Sequence, residues 1–282
     1  MLKLKFEAIG TPWSIETPSK LSDAIQQTIH DRIETFDRTY SRFRDDSLVA
    51  QLRVPGTYTF PADAIPLLEF YRDLYEITEG SVTPLIGETL EHIGYDAGYS
   101  FKSKPKAPIA FKWDKAMSWA GTDVDIKTPV VLDIGAAGKG YLIDIIAELL
   151  EQEGIRNYVI DGSGDIRHRG KIGQRVGLEN PHDLSRVIGR AELQNASLCA
   201  SASNRRKWGD WHHIIDARTA KPVNHVVASW VIADSTMIAD GLATALFFVP
   251  PGMLKKWEFQ SVRLFADGRI EKTGNFMGEL YI

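Results

Sequence analysis

A strand-like run that breaks directly into a helix dominates the reading of this sequence: VVLDIGAAGKGYLIDIIAELL, from Val130 to Leu150. An apolar run of strand length ends in a turn of Gly and Ala, and apolar residues then recur at helical spacing. A chain organised around such a unit must combine sheet and helix. The turn would also expose backbone N–H groups beside a helix N-terminus, a natural seat for phosphate, with Lys139 adding a positive charge. The segment is neither G-x-x-x-x-G-K-[ST] nor G-x-G-x-x-G. Alone, it equally fits tight packing of helix on sheet with Lys139 in solvent.

Other segments follow the same logic. Leu2, Leu4 and Phe6 alternate with Lys3, Lys5 and Glu7, the period of a half-buried strand. Leu21, Ala24, Ile25, Thr28, Ile29, Ile33 and Phe36 fall at helical spacing, and a second amphipathic helix is expected over 61–79, stopped by Gly80. VVLDIG, NYVIDGSGDI, VGLEN and VASWVIA are expected as strands, with further strands near 187–201, and a helix is expected from Ser235 to Phe248. The fold class read from this mixture is α+β, with mixed or antiparallel sheets and packed helices. Two intimately joined lobes in one domain, 1–282, are expected, the polar stretch 98–128 being the nearest thing to a lobe boundary.

Composition excludes several classes. Hydrophobic residues make up 44% and charged residues 25%, enough apolar surface for a sizeable core. A net charge of −4 offers no broad basic face for nucleic acid. The single cysteine, Cys199, can form neither an intrachain disulfide nor by itself a cysteine metal site. No secretory h-region and no run long enough to span a bilayer is visible, so the chain as given is expected to be cytoplasmic.

Three further segments carry candidate chemistry. In YVIDGSGDIRHRG a strand runs into Gly162, Ser163, Gly164 and Asp165, where the glycines permit close backbone approach and Asp165 is placed to orient N–H groups; a hairpin turn explains it equally. In WHHIIDARTAKPV, His212 and His213 would face opposite sides of a strand, so only one can look into a given site; in a pocket His213 would serve as a base, and a structural or surface role is the alternative. Asp216 and Arg218 read as a turn held by hydrogen bonds. In STMIADGLATALFF, Asp240 and Thr244 lie at i and i+4 on one face of a mostly apolar helix. A carboxylate there is costly without a counter-charge, and a carboxylate, a hydroxyl and backbone carbonyls suit Mg²⁺. A helix-end hydrogen bond is the alternative.

Taken in order, these segments resemble the ApbE family of FAD:protein FMN transferases over nearly the whole chain. FEAIGTPWSIE is similar to an initial strand ending in A-M-G-T, and YSRFRDDSLVAQL to S-x-[FY]-x-x-x-S-x-[LI]-x-x-[LF]. GSVTPLIG is loosely similar to G-x-F-D-P-T-V-G, DIGAAGKGY to D-x-G-x-x-A-K-G-Y, and DGSGDIRHRG to the G-G-D-I turn. HIIDARTAKPV resembles H-I-I-D-P-R-T-G-x-P-V, and ADGLATALF resembles A-D-A-L-A-T-A-L. The chain departs from these patterns at Ile9 (Met), Val82 and Thr83 (Phe-Asp), Gly138 (Ala), Ala217 (Pro) and Ala220 (Gly).

The resemblance implies an ApbE-like fold and an FAD site. By position, Ile9 and Phe43 would pack on the flavin nucleotide, Ser81, Val82 and Thr83 would line its loop, and Asp133, Lys139 and the backbone of Ile215 would complete the contacts. It further implies Mg²⁺ held by Asp240 and Thr244 with the carbonyls of Ala136 and Ala243. The expected reaction moves FMN from FAD to a Thr or Ser hydroxyl of an acceptor flavoprotein and releases AMP, with His213 and Asp240 as catalytic residues. Hydrolysis of FAD to FMN and AMP, or FAD binding without catalysis, are the rival readings.

Overall fold

The computed structural model describes residues 1–281, and every strand pairing among them is antiparallel. The fold is α+β, as the mixture of periodicities requires. The alternation at the start forms the hairpin Leu2–Ala8 and Thr11–Thr17, with Ala8 paired to Thr11. The helix Asp23–Tyr40 follows, burying Ile29, Ile33, Phe36 and Tyr40 at the spacing the sequence shows. Chain contacts divide the molecule into two units, each assembled from separated stretches of sequence.

The first unit comprises Met1–Ile33, Ala137–Asn204 and Asn224–Ile282. Its main sheet has eight strands, in the order Leu2–Ala8, Thr11–Thr17, Tyr158–Asp161, Ile166–Arg169, Ser197–Ala202, Val226–Ala233, Gln260–Phe265 and Ile270–Lys272. Gln174–Asn180, Asp183–Leu193 and Gly278–Leu280 form a smaller sheet. Leu178, Ala191, Leu193, Leu198, Ala228, Trp230 and Val262 close a common apolar core. Helix Thr236–Ala245 packs on strands Ser197–Ala202 and Val226–Ala233 and against helix Gly138–Gln152. Its N-terminus is capped twice over. Ser235 Oγ accepts from Ile238 N–H (3.2 Å), and the Asp144 carboxylate accepts from Thr236 N–H and Met237 N–H (both 2.9 Å).

The second unit comprises Glu34–Ala136 and Arg205–Val223. Helix Ala64–Ile77 buries Leu67, Leu68, Phe70, Tyr71 and Leu74, and strands Gly56–Thr59, Asp123–Ile126 and Met117–Ala120 form a three-stranded sheet. Residues 98–128 lie wholly within this unit.

Several elements depart from the sequence reading. VVLDIG is not a strand. Val130, Val131 and Leu132 are buried, but Val130 N–H donates to Leu52 O (3.1 Å) and Asp133 N–H to Pro84 O (2.7 Å), two isolated carbonyls and no ladder. NYVIDGSGDI is not one strand but the hairpin the sequence also allowed: Tyr158–Asp161 pairs with Ile166–Arg169 around a turn in which Ser163 and Gly164 have φ of 61° and 99°. The last helix ends at Ala245, and 246–248 continue only as a turn. No helix among the described residues is long and apolar enough to cross a membrane.

Candidate functional site

In the first unit the chemistry gathers where two helices meet. Asp240 is 6% exposed, and its Oδ2 accepts from Gly140 N–H at 2.9 Å, in the first turn of helix Gly138–Gln152. Gly140 is required by this approach: a Cβ there would stand 2.3 Å from Thr236 O and 2.8 Å from the Cβ of Asp240. Thr244 lies one turn further along and is half-buried, its Oγ1 3.5 Å from Ser201 Oγ. The Ala243 carbonyl accepts from Ser229 Oγ at 2.5 Å. Ala136, half-buried in the turn just before helix Gly138–Gln152, belongs to the second unit.

Lys139 is not in bulk solvent. Its Nζ donates to Gly162 O (2.8 Å) and lies 2.9 Å from Asp165 Oδ2, while the side chain of Asp165 is 1% exposed. Burial works to lower the Lys139 pKa, but the charges of Asp165 and Asp240 prevail and raise it. The ammonium is therefore firmly charged. The Asp165 carboxylate serves this ion pair and makes no hydrogen bond to N–H groups, so the structure corrects the orienting role expected for it. Cys199 is fully buried beside the same groups, and burial pushes its thiol well above the usual range, so it is an inert packing residue.

The donor set around Asp240 fits a hard cation. It offers a carboxylate, a hydroxyl and the Ala243 carbonyl oxygen, and no cluster of three or more His, Cys, Asp or Glu side chains among the described residues could hold a metal by itself. A site with so few protein charges suits Mg²⁺, which keeps water and substrate phosphate as its remaining ligands.

Ile9 also belongs to the first unit. With Gly10 it forms the two-residue turn of the opening hairpin, both residues having positive φ (43° and 74°), as a type I′ turn requires. A β-branched residue in that conformation is strained.

In the second unit the structure brings Phe43, Ser81, Val82, Thr83, Asp133 and Ile215 together. Asp133 N–H donates to Pro84 O and Ala217 N–H to Ser81 O (3.2 Å), tying the 81–84 loop to both neighbours. Thr83 caps the short turn Pro84–Ile86, its Oγ1 accepting from Leu85 N–H, while Ser81 and Val82 are buried. Ile215 is buried with Leu90, Ile93 and Tyr95, and Phe43 packs on that group. Burial pushes the Tyr95 phenol up to about 12.

His213 follows the two-residue strand Trp211–His212, not a continuous one. His212 is the buried partner, its Nε2 bonded to Val223 O, whereas His213 is half-buried. His213 Nδ1 donates to Arg205 O at 3.0 Å, which leaves the lone pair on Nε2. Burial, reinforced by the charges of Arg206 and His212, pushes its pKa down to about 3, so the ring is neutral at pH 7. Asp216 accepts two bonds from the Arg218 guanidinium and one from Arg218 N–H, the hydrogen-bonded turn expected from the sequence.

One residue absent from the sequence reading stands out. Arg42 is buried beside Phe43 with its Nε donating to Asp133 Oδ2. Aromatic residues 95, 99, 101 and 208 complete the surroundings of Phe43. A buried Arg is visible only once the chain is folded, because no periodicity marks it.

Comparison with known proteins shows the family and the fold. The model of the ApbE family matches residues 9–262. The FAD:protein FMN transferase of Haemophilus influenzae is 27% identical over 254 residues, covering 80% of this chain and 70% of that protein. That of Rhodobacter capsulatus is 29% identical over 216 residues, covering 71% of this chain and 41% of that protein. The crystal structure of the ApbE protein of Thermotoga maritima superposes with a TM-score of 0.84 at 21% identity, covering 97% of each chain. The flavin transferase ApbE of Vibrio cholerae gives 0.82 at 22%, again covering 97% of each.

Proposed function

The chain belongs to the ApbE family, and from that membership we propose that it is an FAD:protein FMN transferase, using Mg²⁺ to move FMN from FAD onto a Thr or Ser hydroxyl of an acceptor flavoprotein. The observation that carries this reading is the bond from Gly140 N–H to the buried carboxylate of Asp240, which ties an oxygen-ligand helix to the first turn carrying Lys139. Phosphate recognition falls to Lys139, whose charge Asp165 secures. Ring contacts fall to Phe43, Ile215, Asp133 and the 81–83 loop, with Ile9 packing on the flavin nucleotide.

In the proposed reaction the acceptor hydroxyl attacks the phosphorus on the FMN side of the dinucleotide. A new O–P bond forms, the P–O bond to AMP breaks, and AMP leaves with the bridging oxygen. The hydroxyl proton passes to Nε2 of His213, which is neutral and therefore able to accept it at pH 7. An imidazole of such low basicity accepts a proton more readily once anionic phosphates lie near it. A weak base suffices, because phosphoryl transfer depends chiefly on positioning and charge stabilisation. A magnesium ion held by Asp240 and Thr244 would neutralise charge on the phosphate oxygens.

The test is mass spectrometry of an acceptor flavoprotein after incubation with the chain, FAD and Mg²⁺. The acceptor is expected to gain the mass of one FMN phosphoester, and Asp240→Ala is expected to lose this activity by at least about 100-fold, the scale of losing one charge-stabilising group. AMP released steadily with no acceptor present would instead indicate hydrolysis. Tight FAD binding without any product would indicate a flavin carrier.

A further inference from the structure

We propose that Arg42 is a ligand-binding residue, whose guanidinium recognises the acceptor edge of a planar heteroaromatic ring packed against Phe43. The inference deepens the proposed function and rests on it for the identity of the ligand as a flavin dinucleotide. The sequence pattern leaves this position open. In the segment matching S-x-[FY], Arg42 is the variable residue between Ser41 and Phe43.

The side chain of Arg42 is 3% exposed, yet only part of it is satisfied. Nε donates to Asp133 Oδ2, while neither Nη1 nor Nη2 has an acceptor in the protein. Buried guanidinium donors without partners are rare because the loss of water is uncompensated. A structural ion pair would be expected to point both arms of the fork at the carboxylate, as the Arg218 fork does with Asp216. Here one edge is fixed to Asp133 and the other is left for something else.

The surroundings describe what that something is. The Arg42 guanidinium carbon lies 4.2 Å from the centroid of Phe43 and 5.0 Å from that of Tyr95, so aromatic faces bracket it. Tyr99 stacks flat on Phe43, with centroids 5.4 Å apart and an interplanar angle of 6°. Tyr99 is also 47% exposed, and both it and Phe101 hold left-handed backbone, with φ of 48° and 50°. A face of Phe43 that already accepts one flat ring is suited to another. The exposed, strained Tyr99 is the ring able to move aside or to cover it.

A planar fork of N–H donors is matched by two adjacent acceptors in one plane. The flavin ring carries such a pair in N1 and the neighbouring C2 carbonyl oxygen. Adenine offers ring nitrogens, with an amino donor beside one of them. Both ends of FAD therefore contain acceptors, and the two sources are separated by experiment.

The experiment measures binding, with FMN and AMP as separate probes, to the parent chain, Arg42→Lys and the pair Arg42→Gln/Asp133→Asn. Lysine keeps a charge for Asp133 but loses the planar fork. The double variant keeps the hydrogen-bonded pair without charge, which guards against a fold lost to a lone buried carboxylate. Affinity is read from flavin fluorescence quenching and AMP calorimetry, and folding from thermal unfolding. Arg42→Lys is expected to melt within a few degrees of the parent and to bind one probe at least about tenfold more weakly, leaving the other unchanged. Loss confined to FMN assigns the flavin ring; loss confined to AMP assigns adenine. Unchanged affinity for both probes in folded variants overturns the proposal, as does an equal loss of both accompanied by lowered thermal stability. If the parent binds neither probe, the dinucleotide reading fails and takes this one with it. Binding without FMN transfer defeats only the transferase reading.

Discussion

Ile9 sits at a strained turn, and an apolar contact in the proposed site would account for a β-branched residue there. Its φ of 43° is demanded by the hairpin, whose first central position favours Asn or Gly. A β-branched residue there costs on the order of 1 kcal/mol. Ile9→Asn is therefore expected to stabilise the protein by about 1 kcal/mol in urea unfolding while weakening FAD binding, because an apolar contact is exchanged for an amide. An unchanged FAD affinity would remove Ile9 from the site. The residue scale is also where sequence reading is weakest. The motif-bearing positions, Asp240 with Thr244 and Lys139, could be picked out by spacing and by likeness. Arg42 could not, and Asp165 could be found but not given its role, because both depend on partners far along the chain: Arg42 finds Asp133 and Asp165 finds Lys139 only through the fold.

Among the elements, the crossing of Gly138–Gln152 with Thr236–Ala245 sets the geometry of the proposed metal helix. The helices approach so closely at Gly140 that any Cβ meets the backbone of Thr236 and the side chain of Asp240. Gly140→Ala is expected to force the pair apart, costing roughly 1–3 kcal/mol by overpacking, and to lengthen the bond from Gly140 N–H to Asp240 Oδ2. Transferase activity should then become dependent on higher Mg²⁺ concentrations, measured as the metal concentration giving half-maximal rate. An unaltered metal requirement would separate Asp240 from this contact. Periodicity found both helices correctly, since each buries an apolar face. It failed at VVLDIG, because a buried apolar run looks the same whether its backbone pairs in a ladder or with scattered carbonyls such as those of Leu52 and Pro84.

At the scale of the whole molecule, two units interleave along the sequence, which explains why no linker can be found by composition: the chain enters the second unit at Glu34 and again at Arg205. Stability and function meet in the charge of the first unit's buried cluster. Asp165 is 0% and Asp240 6% exposed, and Lys139 is the ammonium that faces them. A buried carboxylate such as that of Asp240 is costly to desolvate, a cost that a bound cation offsets. Asp240→Asn removes that buried charge while retaining an oxygen for Gly140 N–H, so in EDTA the variant is expected to melt above the parent. Mg²⁺ with FAD should reverse the order. A ligand at 100 times its Kd contributes about 2.7 kcal/mol, which for a chain of this length raises Tm by several degrees, and only the parent should show the full gain. Calorimetry of both proteins in both conditions reads the crossing directly. Parallel shifts would mean that the cation is not held by Asp240, and a parent already more stable in EDTA would mean that the carboxylate serves the fold alone.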